Sequence, residues 1–140
     1  MCTVKELHEK AMELAEKAMI ARYKQDLELA RVYARNTFKL ESQAAGLLPK
    51  GDTSEPTRSI LFRSAGWLAF QCKDFEGGID MVTQGRAGNP PSDVKQELDE
   101  LLDELLIAIK QQAAAAAESV LTKKGMREEA AVSSDQEEKT

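Results

Sequence analysis

One histidine, two cysteines, four prolines and an aromatic content of 5% leave this chain of 140 residues short of the side chains that most often carry chemistry. Each shortage excludes something. His8 stands alone, with no cysteine or acid cluster beside it at metal-ligand spacing, so no zinc site is expected. Cys2 and Cys72 lie far apart in sequence and make no disulfide framework. A reducing compartment follows, with Cys72 serving as a small core hydrophobe. Neither cysteine has a local base to activate it. Glu97 and Glu100 lack the Glu-x-x-His partners that a dimetal helical bundle requires. Gly85-Arg86-Ala87-Gly88 ends a helix where a phosphate cradle would begin one. The expectation is therefore no catalytic residue, no metal and no cofactor, and the chain is not read as an enzyme. The longest strongly apolar run, residues 105–109, is far too short to span a bilayer. Residues 1–10 include Lys5, Glu6, Glu9 and Lys10, with no apolar stretch of signal-peptide length after them. A cytoplasmic protein without membrane contact is expected. A formal net charge of −5 counts against wholesale nucleic-acid binding, which needs a net or clustered positive field.

What is present points to helices. Hydrophobic residues at 42% and charged residues at 31% fit a globular chain, and the length suits one domain. Ala, Leu, Glu, Lys and Gln are abundant, and such side chains lose little rotamer freedom in a helix. Thr3 followed by Glu6 forms a capping box. Val4, Leu7, Ala11, Leu14 and Ala18 then step at helical spacing, and the stripe resumes as Tyr23, Leu27, Ala30, Ala34 and Phe38. This segment is either one long helix or a hairpin turning near residues 22–26; the hairpin is preferred for a reason given below. Residues 46–57 carry loop composition, and Pro56 suits the first turn of the next helix. A helix over 56–72 breaks at Lys73-Asp74, and another runs over 75–86 until Gly88-Asn89-Pro90-Pro91. Ser92 or Asp93 caps a further helix bearing Val94, Leu98, Leu101, Leu105 and Ile109 on one face. The alanine run at 113–117 prolongs it to about residue 122. The expected fold is all-α: antiparallel hairpins over 4–48 and 56–87, a long C-terminal capping helix over 93–122, and a polar, disordered tail over 123–140.

The second hairpin carries a pattern. Phe62, Ala65, Gly66, Ala69, Asp74-Phe75, Gly78, Val82, Gly85 and Pro90 place large, small and proline residues at set offsets, and this resembles the tetratricopeptide repeat (TPR). It departs from the repeat at Ala69, where an aromatic is usual, at Lys73, where the turn favours glycine, and at Gly78, where alanine is the norm. The frame slid back gives Leu14, Ala18, Ala21, Asp26-Leu27, Ala30 and Ala34, a weaker match and the reason for splitting the first segment. The resemblance covers residues 11–92, most clearly the second half. The family's alanine preference implies that Gly78→Ala stabilises by about 0.4–1 kcal/mol.

The resemblance also implies a binding surface. Proteins of this kind hold extended peptides along their first helices, and the corresponding offsets here are Ile60, Arg63, Trp67, Phe70 and Gln71. In the first hairpin they are Met12, Ala15, Met19, Arg22 and Tyr23. The carboxylate clamp of some family members is absent, since its offsets hold Arg63 with Trp67 and Ala15 with Met19. An apolar, aromatic strip of Met12, Met19, Tyr23, Ile60, Arg63, Trp67, Phe70 and Gln71 remains, rich in favoured interface residues. The plainer alternative packs Trp67 and Phe70 against the first hairpin. The function expected is a protein-interaction adaptor or small assembly subunit with a protein or peptide partner. The alternative is a nucleic-acid accessory factor using the i, i+4, i+8 stripe Arg31, Arg35 and Lys39, although such a row, flanked by Glu28 and Glu41, is more often a solvated face. Leu98, Leu101, Leu105 and Ile109 approach heptad spacing and are assigned to self-association as a homodimer. One side of that helix would cap the repeat and the other, broadened by Leu102, Leu106 and Ile107, would meet a second chain, unless the helix frays after Ile109.

Overall fold

The Thr3 hydroxyl accepts the Glu6 amide at 3.1 Å, and the chain enters its first helix there. The computed structural model describes the backbone of residues 2–138 and the side chains of residues 2–125. Among the described residues the chain forms α1 (Val4–Tyr23), α2 (Leu27–Gly46), α3 (Thr57–Gln71), α4 (Phe75–Arg86) and α5 (Ser92–Glu138), with a 3-10 turn at Asp52–Ser54 and no strand. The protein is all-α. It divides into two compact units, Met1–Leu106 and Ile107–Thr140.

Two helical hairpins make up most of the first unit, and their turns are built alike. Between α1 and α2, the Lys24 amide donates to Ile20 and the Asp26 amide to Ala21, at 3.0 and 2.9 Å; between α3 and α4, Cys72 donates to Leu68 and Asp74 to Ala69, at 3.1 and 2.9 Å. Gln25 and Lys73 occupy the left-handed region at φ 62° and 63°. This is the usual way to end a helix when the next must start at once, because the reversed residue frees the following amide to reach back to the orphan carbonyls. Asp26 and Asp74 then cap α2 and α4, accepting the Leu29 and Gly77 amides at 3.2 and 3.0 Å. Every member of one turn stands 48 residues from its counterpart in the other. That spacing exceeds the 34-residue period of the repeat family, because α2 runs for 20 residues and a loop follows it.

The hairpins meet through Leu7 of α1, Ala44 and Ala45 of α2, Leu61, Phe62 and Ala65 of α3 and Met81 of α4. The alanines are wholly buried and let the helix backbones approach closely. A second apolar cluster joins Val82 of α4 to Val94, Leu98, Leu101 and Leu105 of α5, with Ile60, Phe70, Phe75 and Ile79 packed against it. Glycines receive the α5 leucines: a Cβ placed on Gly85, Gly66 or Gly78 would stand 3.3, 2.9 or 2.7 Å from Leu98, Leu101 or Leu105. The self-association assignment is corrected here. Leu98, Leu101 and Leu105 are 0% exposed within one chain and offer nothing to a second.

In the second unit the helix does not end at Ile109 or at residue 122, and α5 stays helical to Glu138. Unbranched alanines and glutamines sustain it by propensity alone, for every residue from 110 to 125 is exposed. Most of the 123–140 tail lies outside the residues whose side chains are described. No described helix is long and apolar enough to cross a membrane.

Candidate functional site

Met12, Met19 and Tyr23 all project from the exposed side of α1, opposite the side that buries Leu7, Ala11 and Ala18. Tyr23 is 90% exposed and Met19 65%. Ile20 before the turn and Leu27, Leu29 and Val32 after it are exposed as well, so large hydrophobic side chains lie on both arms near the tip of the first hairpin.

The equivalent positions of α3 have a different fate. Ile60 and Phe70 pack into the cluster with α5, and Arg63 forms an ion pair with Glu97 of α5. Trp67 sets its ring edge-on to Phe70 at 5.7 Å between centroids, and Phe70 meets Phe75 at 5.6 Å. Trp67 keeps 39% of its surface exposed and Gln71 is open. The α3 half of the proposed strip is thus largely occupied by the chain's own last helix, not by the first hairpin as the plainer alternative had it. Gln71 and Lys73 share a cleft of about 160 Å³ with Arg22, Leu27, Ala30 and Arg31, which brings the ends of the two hairpins together.

Arg31, Arg35 and Lys39 are exposed along α2 and take part in no ion pair among the described residues. Ile109 is half-buried. On the outer side of the first hairpin, α1 and α2 enclose two adjoining hollows. One, of about 440 Å³, lies by Ile20, Leu29 and Tyr33; the other, of about 470 Å³, by Leu14 and Leu40. Lys17 lines both. No family model matches this chain, and no match was found among curated proteins or solved structures.

Two polar groupings escaped the sequence reading. The His8 Nδ1 stands 3.0 Å from both carboxylate oxygens of Glu41, and the Ser64 side chain lies near that carboxyl. Glu41 is wholly buried, while the His8 side chain remains 44% exposed. Burial pushes the Glu41 carboxyl above the ordinary carboxylate range, and the contacts with His8 and Ser64 only partly oppose it. The grouping ties α1, α2 and α3 together.

The other grouping centres on Arg58, 3% exposed, which lies over the Phe62 ring at 4.7 Å and donates to the Gln84 carbonyl at 3.1 Å. Glu55 stands 4.0 Å away and accepts the Ser59 amide at 3.2 Å, so the loop before α3 is pinned to the end of α4. Only folding joins residues 8 and 41, or 58 and 84, and no local spacing announces either. Among the described residues no group of three or more His, Cys, Asp or Glu side chains could hold a metal ion.

Proposed function

We propose that the protein is a tetratricopeptide-like adaptor or small assembly subunit that holds a protein partner through the first hairpin. The observation that carries this reading is the exposed apolar surface at the hairpin tip, where Met19, Tyr23 and Leu27 are each at least 65% open. Single apolar side chains scattered on a surface need no explanation, but several so open within one hairpin turn call for one. Methionine adapts to varied partners and tyrosine is a favoured anchor. The paired hairpins with matching turns support the repeat-like reading, in which α5 closes the stack at one end and leaves the first hairpin open. The site therefore moves toward Met12, Met19, Tyr23 and the open edge of Trp67 and Gln71, and away from Ile60, Arg63 and Phe70.

A double variant Met19→Glu, Tyr23→Glu tests it. Cross-linking and affinity capture from the native host should recover a partner with the wild-type chain and lose it with the variant, at unchanged melting temperature. Equal recovery by both chains ends the assignment. The unpaired stripe of Arg31, Arg35 and Lys39 favours a second reading, binding to nucleic acid. Affinity that falls steeply with salt and vanishes in Arg31→Ala, Arg35→Ala would favour that one.

A further inference from the structure

We infer that the groove between α1 and α2, on the outer side of the first hairpin, is a docking site for an acidic amphipathic helix of another protein. The inference deepens the adaptor reading and rests on it. The 48-residue correspondence between the hairpin turns extends along the helices and gives the form of the occupant. Leu14 stands where Phe62 is in the second hairpin, Lys17 where Ala65 is, Ile20 where Leu68 is and Tyr33 where Met81 is. In the second hairpin that face is covered, for Phe62, Ala65 and Met81 pack against Ala44 and Ala45 of α2. What fills the face there is a helix. In the first hairpin the same face stays open among the described residues, and Ile20 and Leu29 are 48% and 41% exposed at its floor.

Charge gives the chemistry. Lys10, Lys17 and Lys24 are spaced by seven residues, about two turns, and form one row along α1 that runs about 21 Å. Lys39 faces them from α2, and the acids lining the same hollows are Glu13 and Asp26. A terminal repeat does carry a polar outer face for solubility. Here four lysines stand against two acids, so the hollows carry a net positive lining beside an exposed apolar floor. A helix with leucines on one side and carboxylates flanking them complements both features, and apolar anchors at i, i+3, i+4 and i+7 are how such grooves are filled.

The test uses the full chain and two labelled 18-residue probes, one helical peptide of leucine, alanine and glutamate and its counterpart with lysine in place of each glutamate. Fluorescence anisotropy should show saturable binding of the acidic probe, weakening as salt rises, with helix gained on binding by circular dichroism. The basic probe should not bind. Lys17→Glu with Lys24→Glu should weaken the acidic probe at least tenfold, and Ile20→Asn should do the same without adding charge to the hollow. Undiminished binding in both variants, or equal binding of the two probes, overturns the assignment. Self-association of the wild-type chain near 100 μM that is lost in the lysine variant would also overturn it, giving the groove to a second copy. A natural partner captured equally by wild type and lysine variant, but lost with Met19→Glu, Tyr23→Glu, would end the groove and leave the adaptor reading standing.

Discussion

Gly78 shows how a single contact decides the sign of a substitution. The repeat pattern implies that alanine is welcome there. The structure places the missing Cβ 2.7 Å from a methyl of Leu105, a wholly buried side chain that would have to shift. Gly78→Ala should therefore destabilise, by about 1–3 kcal/mol as overpacked cores do. Gly46, at the end of α2, has nothing within 4 Å of its Cβ position, so Gly46→Ala should stabilise by about 0.4–1 kcal/mol. Urea denaturation of both variants checks the contrast, and a stabilised Gly78→Ala would mean that α5 sits less tightly than described. Glu41 carries a pH signature. Its folded carboxyl binds its proton more tightly than an unfolded one, so its contribution to stability is whole below the ordinary carboxylate range and is lost as pH rises through the raised value. Glutamine mimics the neutral form at every pH. The melting temperature of Glu41→Gln, measured against wild type, should thus climb as pH rises from 4 to 8. A difference that stays flat or falls would show that the pairing with His8 outweighs burial.

The hairpin turns belong to the scale of the element. Gln25 and Lys73 hold left-handed conformations that cost an ordinary residue roughly 1–2 kcal/mol. Lys73→Gly removes that strain and should stabilise by about 0.5–1 kcal/mol after glycine's own entropy cost. The cap beside it has the opposite effect: Asp74→Ala leaves the Gly77 amide without its acceptor and should cost about 1 kcal/mol. Thermal melts of the two variants separate these effects, and matching shifts at Gln25 and Asp26 would show that the turns are energetically as well as geometrically alike. The α5 helix behaves as two stretches. Up to Leu105 it is held by packing, through leucines that fill glycine hollows on α3 and α4. From residue 110 it has only propensity, and isolated helical segments of that kind are marginal in water.

Over the whole molecule, that division predicts where the chain can be shortened. A chain ending at Lys110 loses residues that are exposed throughout their described length. Its stability should match the full chain to within about 0.5 kcal/mol, the usual range for changes that touch no packed group. Circular dichroism should lose helical signal while the melting midpoint holds. A midpoint that falls with the signal would show that the distal helix supports the hairpins.

Sequence alone determined the helical class, the breaks at residues 46–57 and 87–91, and the second hairpin turn, while the first turn was only preferred over one long helix. These follow from local physics: apolar spacing near 3.6, loop composition, and an aspartate positioned to cap the next helix. The place of the first turn was readable because Asp26-Leu27 matches Asp74-Phe75. Residues 19–26 hold no strong breaker of their own. Tertiary structure alone decided which apolar face met what. The heptad-like stripe of Leu98, Leu101 and Leu105 reads equally well as a seam for a second chain or a seat for the chain's own glycines, because periodicity names a face and not its partner. The same ambiguity hid the occupation of Ile60 and Phe70 by α5. It also hid the pairing of His8 with Glu41, since contacts between residues distant in sequence exist only once the helices have packed.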